Sequence, residues 1–444
     1  MAGAIHRKTL IDNMGEQERS GAIDSTHAND VALAAAGCVE EARLWQRLME
    51  MARFGATAAG GVNRQALSAE DIAARRLMLQ WARELGLDAS TDEIGNLYLR
   101  RPGSDRSAPP VMTGSHLDSQ PMGGKFDGAY GVLAGLEALQ AMGQAGIETR
   151  RPVEVVAWTN EEGSRFQPGT MGSCVFTRRM TLDELLPVVD RDGVSVEQAL
   201  AEVLAATPEL PRRESGFPVA AFVEAHIEQG PVLERAGKPI GVVSSVQGLR
   251  WFTVEVAGEA AHAGTTPLRL RRDALKAAAA MVTAMDEALA DEKDILRFTV
   301  GRFEVHPGAP STVPARVLFT IDLRHPEQAV IDRATQRIEA ACQANARGCE
   351  VSLTRTEDVR PTLFDPAIVE AIGGWSDRLG LARETMVSGA GHDAMHMADV
   401  CPSGMIFVPC EGGVSHNESE NATPGDLAAG ARVLTATLVD LAQR

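Results

Sequence analysis

Residues 111–146, VMTGSHLDSQPMGGKFDGAYGVLAGLEALQAMGQAG, carry the strongest fold signal in the chain. The apolar run VMTGSH at their start is typical of a buried strand, and YGVLAGLEALQAMGQAG has the apolar spacing of a helix. A second apolar run, PVEVVAWTN at 152–160, follows this helix. The order of strand, helix and strand predicts an α/β domain with a mixed, largely parallel sheet.

Two helices are predicted to open the folded part of the chain. EEARLWQRLMEMARFGA (40–56) and SAEDIAARRLMLQWARELG (68–86) both have apolar residues at helical spacing. Ser68, with Asp71 three positions later, forms a plausible capped start for the second helix. Both helices are therefore assigned to the α/β domain.

The pattern changes near residue 245. From there to about residue 360, single helices separate apolar strand-like runs, which predicts a compact α+β unit inserted into the larger domain. The α/β pattern then resumes and ends on the helical segment DLAAGARVLTATLVDLAQ. We divide the chain into a flexible N-terminal extension at 1–30, a catalytic domain at 31–245 and 361–444, and the inserted domain at 246–360.

The composition excludes some classes of function. The 444 residues are 44% hydrophobic, which is ample for large buried cores, and the net charge is −17 with 43 Lys and Arg against 60 Asp and Glu. Because no long basic run could follow a phosphate backbone, we expect no nucleic-acid partner. No apolar stretch reaches about 18 residues and no secretion signal opens the sequence, so a soluble cytoplasmic protein with reduced cysteines is expected.

Several side chains that bind metals come where a predicted strand ends or just beyond it, which is where α/β folds assemble their sites. One such residue is usually a solvated loop residue, but several in one sequence are difficult to dismiss. Three imidazoles and two or three carboxylates suit zinc, or manganese, cobalt or nickel. The candidates are His116, Asp127, Glu161, Glu162, His226 and His416.

The adjacent Glu161 and Glu162 and the nearby Asp118 suggest how this site could work. Two neighbouring carboxylates after a buried strand are costly unless a cation compensates them, so one could bind metal while the other acts as a base. Asp118 lies two positions after His116 and could accept a hydrogen bond from the free N–H of its imidazole. Asp127 could bridge two ions through its two oxygens.

Six ordered blocks of the sequence resemble a known family. The chain is similar to the N-carbamoyl-L-amino-acid hydrolase, β-ureidopropionase and allantoate amidohydrolase family, which belongs to the wider group of dinuclear metallopeptidases that includes aminoacylase. The resemblance covers essentially all of residues 35–444. Its blocks are GSHLDSQPMGGKFDGAYGVLAGLEAL, AWTNEEGSRFQPGTMGS, EAHIEQGPVLE, AHAGTTPLRLRRDAL, SGAGHDAMHMA and GGVSHNESE.

The resemblance implies a catalytic α/β domain that holds two divalent ions and a smaller lid domain that also forms a homodimer. The inserted unit at 246–360 corresponds to the lid. By position, His116 and His226 would hold one ion, and Glu162 and His416 the other. Asp127 would bridge the two ions, and Glu161 would be the general base that activates water and then protonates the leaving nitrogen.

The resemblance also assigns roles in the lid. His262, in AHAGTTP, would stabilise the oxyanion of the tetrahedral intermediate, and Arg324, in TIDLRHP, would bind the substrate carboxylate. Gln229 and Arg250 are weaker candidates for polar substrate contacts. Ser311 stands where the family usually has an asparagine that helps to hold the substrate. A serine hydroxyl is shorter than an asparagine side chain and has fewer hydrogen-bonding groups than its amide.

The sequence therefore predicts a homodimeric metal-dependent amidohydrolase that cleaves a linear amide or ureido C–N bond of an N-substituted amino acid. N-carbamoyl-L-amino acids, small molecules with a carboxylate, are the first expected substrates. Because of Ser311, two alternative functions remain: an N-acyl-amino-acid amidase and a dipeptidase, each with the same metal centre. A non-catalytic dimeric binding protein of the same fold is disfavoured, because all five ligands and Glu161 are present.

Overall fold

The computed structural model describes residues 29–293 and 295–444. Of the predicted N-terminal extension, residues 1–28 lie outside the described residues, and residues 29 and 30 belong to a helical segment that runs to residue 37. The described residues divide into two compact units: 29–244, 364–386 and 391–444 form the first, and 245–293, 295–363 and 387–390 form the second. The second unit corresponds to the insertion expected at 246–360 and adds the short segment 387–390.

The first unit contains most of the helices and a mixed sheet. Its helices are α1 (29–37), α2 (Glu41–Met51), α3 (Ala69–Glu84), α4 (Ala129–Gln144), α5 (Met171–Phe176), α6 (Leu182–Leu185), α7 (Val196–Ala205), α8 (Val232–Ala236), α11 (Pro366–Arg378), α12 (Ala394–Met397) and α13 (Pro424–Gln443). Its strands are β1 (Asp88–Thr91), β2 (Leu97–Arg101), β3 (Val111–His116), β4 (Val153–Trp158), β5 (Ala221–Ile227), β6 (Ile240–Val246), β14 (Arg383–Ser388) and β15 (Ser403–Val408), of which β6 and β14 end in the second unit. A 3-10 helix, Glu411–Gly413, follows β15.

The sheet of the first unit has a parallel centre. Its strands lie in the order β1-β2-β4-β3-β5-β15-β6, and β14 also pairs with β6. Strands β4, β3, β5 and β15 are mutually parallel, whereas β2 and β6 flank them in the antiparallel sense. The predicted mixed, largely parallel sheet is confirmed, and the carboxyl ends of the four central strands lie at one edge.

The strand and helix predicted from residues 111–146 form the centre of the core. All six residues of β3 are buried, and α4 is buried on nearly all sides between the sheet, α2 and α13. A helix that is apolar all round is stable only when it is enclosed in this way. The predicted cap at α3 is also confirmed, because the Ser68 side chain accepts a hydrogen bond from the Asp71 N–H.

The second unit is an antiparallel sheet with two helices. It contains β7 (Gly248–Ala257), β8 (Ala261–His262), α9 (Ala274–Leu289), β9 (Arg297–His306), β10 (Thr312–Val313), β11 (Arg316–His325), α10 (Gln328–Ala344), β12 (Glu350–Val359), β13 (Thr362–Leu363) and a 3-10 helix, Leu268–Leu270. The four long strands lie in the order β12-β7-β11-β9, and β8 pairs with β10 in a small separate sheet. Alternate residues of β7 and β11 are buried under α9 and α10, as expected for a sheet with one covered face. Within the described residues, no helix has the length and apolar character needed to cross a membrane.

Glu137 is the one acidic residue on helix α4, and it is fully buried. Its carboxylate accepts hydrogen bonds from the Glu40 N–H at 2.9 Å and from Nε of Arg43 at 2.8 Å. It therefore fastens the start of α2 to α4. We predict that Glu137→Ala leaves the Glu40 N–H without its acceptor and Arg43 with only the Glu40 carboxylate, the Cys38 carbonyl and Gln144 as partners, and that it lowers the free energy of unfolding by about 2 kcal/mol.

Urea denaturation followed by circular dichroism would measure this loss. Glu41→Ala is the matched control, because Glu41 is an exposed glutamate in the first turn of α2 and its removal should change the free energy by less than about 0.5 kcal/mol. Equal losses in the two variants would contradict the proposed attachment.

Candidate metal centre

The predicted metal ligands meet at the carboxyl edge of the parallel strands. His116 ends β3, His226 lies near the end of β5, and Glu161 and Glu162 follow β4. Asp127 lies in the loop between β3 and α4, and His416 lies in the loop between β15 and α13. The parallel order of these strands explains why residues up to 300 positions apart along the chain converge, since His116 and His416 are brought to the same edge.

Asp127 lies at the centre of the group. Its Oδ1 is 3.7 Å from His116 Nε2 and 3.2 Å from His226 Nε2, and its Oδ2 is 3.3 Å from His416 Nε2. Glu162 Oε2 is 3.5 Å from His416 Nε2. The potential ligand atoms therefore form two groups that share Asp127, one with His116 and His226 and the other with Glu162 and His416. Within each group, the ligand atoms lie within 4.8 Å of one another.

The backbone fixes the tautomer that two of the imidazoles adopt when they are neutral. Nδ1 of His116 lies 2.9 Å from the carbonyl oxygen of Asp118, and Nδ1 of His226 lies 2.9 Å from the carbonyl oxygen of Ile227. Because a carbonyl oxygen can only accept, Nδ1 of each ring must donate, and Nε2 of each neutral ring keeps its lone pair. Both Nε2 atoms face Asp127, which is the arrangement expected of histidines that bind a cation.

The electrostatics of the site also favour a cation. Burial, reinforced by Asp393 and Glu162, raises the pKa of Glu161 well above its usual value, and burial together with Asp127 raises the pKa of Glu162 to about 8. Burial lowers the pKa of His226, but its hydrogen bond to Asp127 together with the charges of Asp127 and Glu224 outweighs this and raises the pKa to about 9. The carboxylates thus attract protons strongly, and bound divalent ions would replace those protons.

Two glycines of the GGKFDG motif leave room for the site. At Gly128, with φ of 63°, a Cβ atom would lie 2.3 Å from the His116 ring, and at Gly124 it would lie 1.9 Å from the Glu420 carboxylate. Glycine at these positions allows the loop after β3 to approach closely. The donor set, the fixed tautomers and this space fit a pair of divalent ions.

The structure corrects the predicted partner of Asp118. The Asp118 carboxylate was expected to accept from the His116 imidazole, but the nearest of its oxygens lies 3.9 Å from Nδ1, and the Asp118 backbone carbonyl takes that hydrogen bond instead. The carboxylate accepts the N–H groups of Glu161 and Glu162, both at 3.2 Å. Asp118 therefore positions the two glutamates as well as His116, through different atoms.

Gln229 lies in the first unit beside Asp127. Its Nε2 donates to Asp127 Oδ2 at 2.9 Å and lies 3.3 Å from the Ser415 hydroxyl. Its Oε1 is buried and has no hydrogen-bond partner among the described residues. Gln229 thus orients the central carboxylate, and its predicted contact with the substrate stays a prediction.

The remaining predicted site residues belong to the second unit. His262 is exposed, and its Nδ1 accepts hydrogen bonds from the N–H groups of Gly264 and Thr265 at 3.0 and 3.2 Å, so the proton of the neutral ring is on Nε2. Ser311 lies across from it, because the Ser311 carbonyl accepts the Ala263 N–H at 2.8 Å. Its side chain is exposed at the start of β10.

The two predicted arginines of the second unit already have protein partners. Arg324 binds Asp322 through Nε and Nη2 at 2.9 and 2.8 Å, and its Nη1 donates to the Gly389 carbonyl at 3.2 Å. One N–H on each of Nη1 and Nη2 is left for another acceptor. Arg250 is 5% exposed, and its guanidinium binds Asp332, Thr335 and Asp358. It therefore holds β7 to β12 and α10.

Several buried residues at the site were not among those predicted from the sequence. His392 packs edge-to-face on the His226 ring at 4.6 Å, and Glu224 accepts hydrogen bonds from Ser115 Oγ at 2.7 Å and from the Ala394 N–H at 2.9 Å. Glu420 accepts the N–H groups of Phe126 and Asp127. Two features of the sequence point to these residues. Glu224 lies two residues before His226 on the same strand, and Glu420 lies four residues after His416.

Comparisons with known proteins agree with this geometry. A sequence model of peptidase family M20/M25/M40 matches residues 112–440. The chain is similar to the N-carbamoyl-L-amino-acid amidohydrolase of Rhizobium meliloti, with 41% identity over 90% of this chain and 96% of that protein. It is also similar to the N-carbamoyl-L-amino acid amidohydrolase of Geobacillus stearothermophilus, with 41% identity over 91% of this chain and 99% of that protein.

A solved structure shows the same architecture. A hydantoinase/carbamoylase family amidase from Burkholderia multivorans has a TM-score of 0.86 and 45% sequence identity, and the match covers 91% of this chain and 98% of that one. The similarity therefore extends over both the fold and nearly the whole sequence of each protein.

The contact between Gly128 and His116 gives a test of the site. We predict that Gly128→Ala displaces the His116 ring, because the new Cβ would lie 2.3 Å from it, and that the purified protein then retains less zinc or manganese than the wild type. Mass spectrometry of the metals bound to the protein would measure this. Gly143→Ala, on the same helix with open space around it, should retain the wild-type amount, and equal metal content in both variants would refute the predicted role of Gly128.

Proposed function

We propose that this chain, which belongs to peptidase family M20/M25/M40, hydrolyses the carbamoyl C–N bond of N-carbamoyl-L-amino acids. The family and the amidohydrolase relatives make it a metal-dependent amidohydrolase that acts on a non-peptide amide. The names of those relatives support the choice of substrate. The observation that carries the proposal is the pair of ligand groups that share Asp127, with the unassigned carboxylate of Glu161 beside them.

The cofactors are part of the proposal. Two ligand groups that share one carboxylate suit two divalent ions per subunit, and imidazole with carboxylate ligands suits Zn, Mn, Co or Ni. When bound, such ions supply positive charge that polarises the scissile carbonyl and makes water easier to deprotonate. His116, His226, Asp127, Glu162 and His416 would hold them.

Glu161 is the residue that would move the proton. Its Oε2 lies 3.4 Å from His116 Nε2, so its carboxylate borders the ligand groups, and its backbone N–H is fixed by Asp118. Glu161 takes a proton from water as the water oxygen bonds to the carbonyl carbon. It then gives this proton to the leaving nitrogen as the C–N bond breaks, which returns Glu161 to its starting state. The carbamate that is released decomposes to ammonia and carbon dioxide.

The groups of the second unit would bind the substrate. The Nε2–H of His262, set by the two backbone bonds at Nδ1, is a donor suited to a developing oxyanion. Arg324, held by Asp322, has two N–H groups left to bind the substrate carboxylate. A homodimeric state and a cytoplasmic location complete the proposal, as the family resemblance and the sequence predict.

The general base can be tested by Glu161→Gln. We predict that the variant keeps the metal content of the wild type, because Glu161 is not a proposed ligand, while kcat for an N-carbamoyl-L-amino acid falls about 10²- to 10⁴-fold. Ammonia release and metal analysis on the same preparation would measure the two quantities. Glu197→Gln, an exposed glutamate on α7, is the control and should leave both unchanged. Wild-type turnover in Glu161→Gln would exclude it as the base.

The unusual serine at 311 gives a test of substrate choice. We predict that Ser311→Asn raises the ratio of kcat/KM for an N-carbamoyl amino acid to that for the N-acetyl derivative of the same amino acid, because the amide adds a donor and an acceptor for the ureido group. One added hydrogen bond is worth roughly a 2- to 10-fold change in this ratio.

The control for this experiment is Ser352→Asn, at an exposed position of β12 in the same unit. Its ratio should equal that of the wild type. An unchanged ratio in Ser311→Asn would mean that the serine has no influence on the substrate, and a wild-type enzyme that prefers the acetyl derivative would favour the N-acyl-amino-acid amidase instead.

A further inference from the structure

Glu420 is a buried carboxylate with no role in the proposed reaction. It is 2% exposed, and its Oε1 accepts the N–H groups of Phe126 and Asp127 at 2.9 and 3.1 Å. Its Oε2 accepts the Ser415 hydroxyl at 2.9 Å. Among the described residues no Lys or Arg pairs with it, so these three hydrogen bonds are its compensation for burial. A buried charge is retained at such cost only where its contacts matter.

Glu420 connects the two loops on which the metal centre depends. The Ser415 hydroxyl that contacts Glu420 also lies 2.9 Å from Asp127 Oδ2, and Ser415 directly precedes His416. Glu420 thus holds the backbone of Asp127 on one side and the loop of His416 on the other. Gly124 leaves the space for it, because a Cβ there would lie 1.9 Å from the Glu420 carboxylate.

The two ligand groups differ in how firmly their histidines are held. His116 and His226 lie at strand ends, are buried, and are fixed by backbone carbonyls at Nδ1. The His416 side chain is 51% exposed and lies in a loop with φ of 52°, in the left-handed region. Its position therefore depends more on the contacts of its own loop.

We propose that Glu420 is a positioning residue that holds the bridging carboxylate of Asp127 and the loop of His416 in place. The ion position formed by Asp127, Glu162 and His416 therefore depends on Glu420 more than the position formed by His116, Asp127 and His226 does. This inference rests on the proposed pair of ions. It concerns how the second ion is retained and does not require the substrate to be an N-carbamoyl amino acid.

The experiment is a titration of the metal-free protein with Zn²⁺ alone, by calorimetry and by competition with a chromophoric chelator. The wild type should show two binding events, and we assign the weaker one to Asp127, Glu162 and His416, because the exposed His416 is held less firmly than His116 and His226. In Glu420→Ala, the N–H groups of Phe126 and Asp127 lose their acceptor and the Ser415 hydroxyl keeps only Asp127, and the Kd of the weaker event should rise about 10- to 100-fold. The Kd of the tighter event should change much less.

Two further variants separate positioning from other effects. Glu420→Gln keeps an Oε1 acceptor for the two N–H groups and should recover most of the lost affinity. Glu411→Ala removes an exposed carboxylate from the same loop, one whose side chain contacts Asn421, and should leave both Kd values unchanged. The loss in Glu420→Ala is then due to lost hydrogen bonds and not to lost charge near the ions.

Several results would overturn the inference: a single ion bound by the wild type, unchanged Kd values in Glu420→Ala, or equal weakening of both events with a lower melting temperature of the metal-free protein. The last result would make Glu420 a general support of the fold. Because the readout is Zn²⁺ binding, its outcome is separate from that of the proposed activity, which would fail if the wild type released no ammonia from carbamoyl substrates.

Discussion

The concentration of buried carboxylates around Asp127 is the constraint on which the rest of the site depends. Asp127, Glu162 and Glu161 lie together at the end of a parallel sheet, and burial raises the pKa of both glutamates. Water has little access to these charges, and their partners among the described residues are imidazoles, the amide groups of Gln120 and Gln229 and the Ser415 hydroxyl. Divalent cations relieve this repulsion more completely than protons do, and the need for them links the fold to hydrolytic chemistry.

The fold meets this constraint by placing the ligands on elements that support one another. Parallel strands bring His116 and His226 to one edge, and backbone carbonyls fix their rings. Asp118 holds the backbone of both glutamates with one carboxylate. These contacts join strand ends to loops and loops to one another, so the geometry of the site is set by a network rather than by any single strand. A change at one member is therefore felt by the others.

The sequence predicted the secondary-structure elements, and the grouping of the candidate ligands at one edge of the sheet, better than the contacts between side chains. The apolar runs before His116 and Glu161 identify their strands, and strand-like runs separated by single helices identify the α+β second unit. The partners of side chains were harder to predict from the sequence. The Asp118 carboxylate accepts hydrogen bonds from the glutamate N–H groups and not from His116, and Arg250 is bound by acidic residues far along the chain. Backbone acceptors and long-range ion pairs leave no periodic signal, so they became visible only in the folded chain.

The two units differ in how freely their functional residues can change. In the first unit, Glu420, Ser415 and Gln229 all contact Asp127 or its backbone, so a substitution there disturbs the metal centre. In the second unit, Ser311 holds its neighbour Ala263 through its backbone carbonyl, and its exposed side chain takes no part in that bond. A new side chain at 311 therefore leaves the local structure intact. Under the proposed function, substrate preference could change at this position without any change to the candidate metal ligands, which all lie in the first unit.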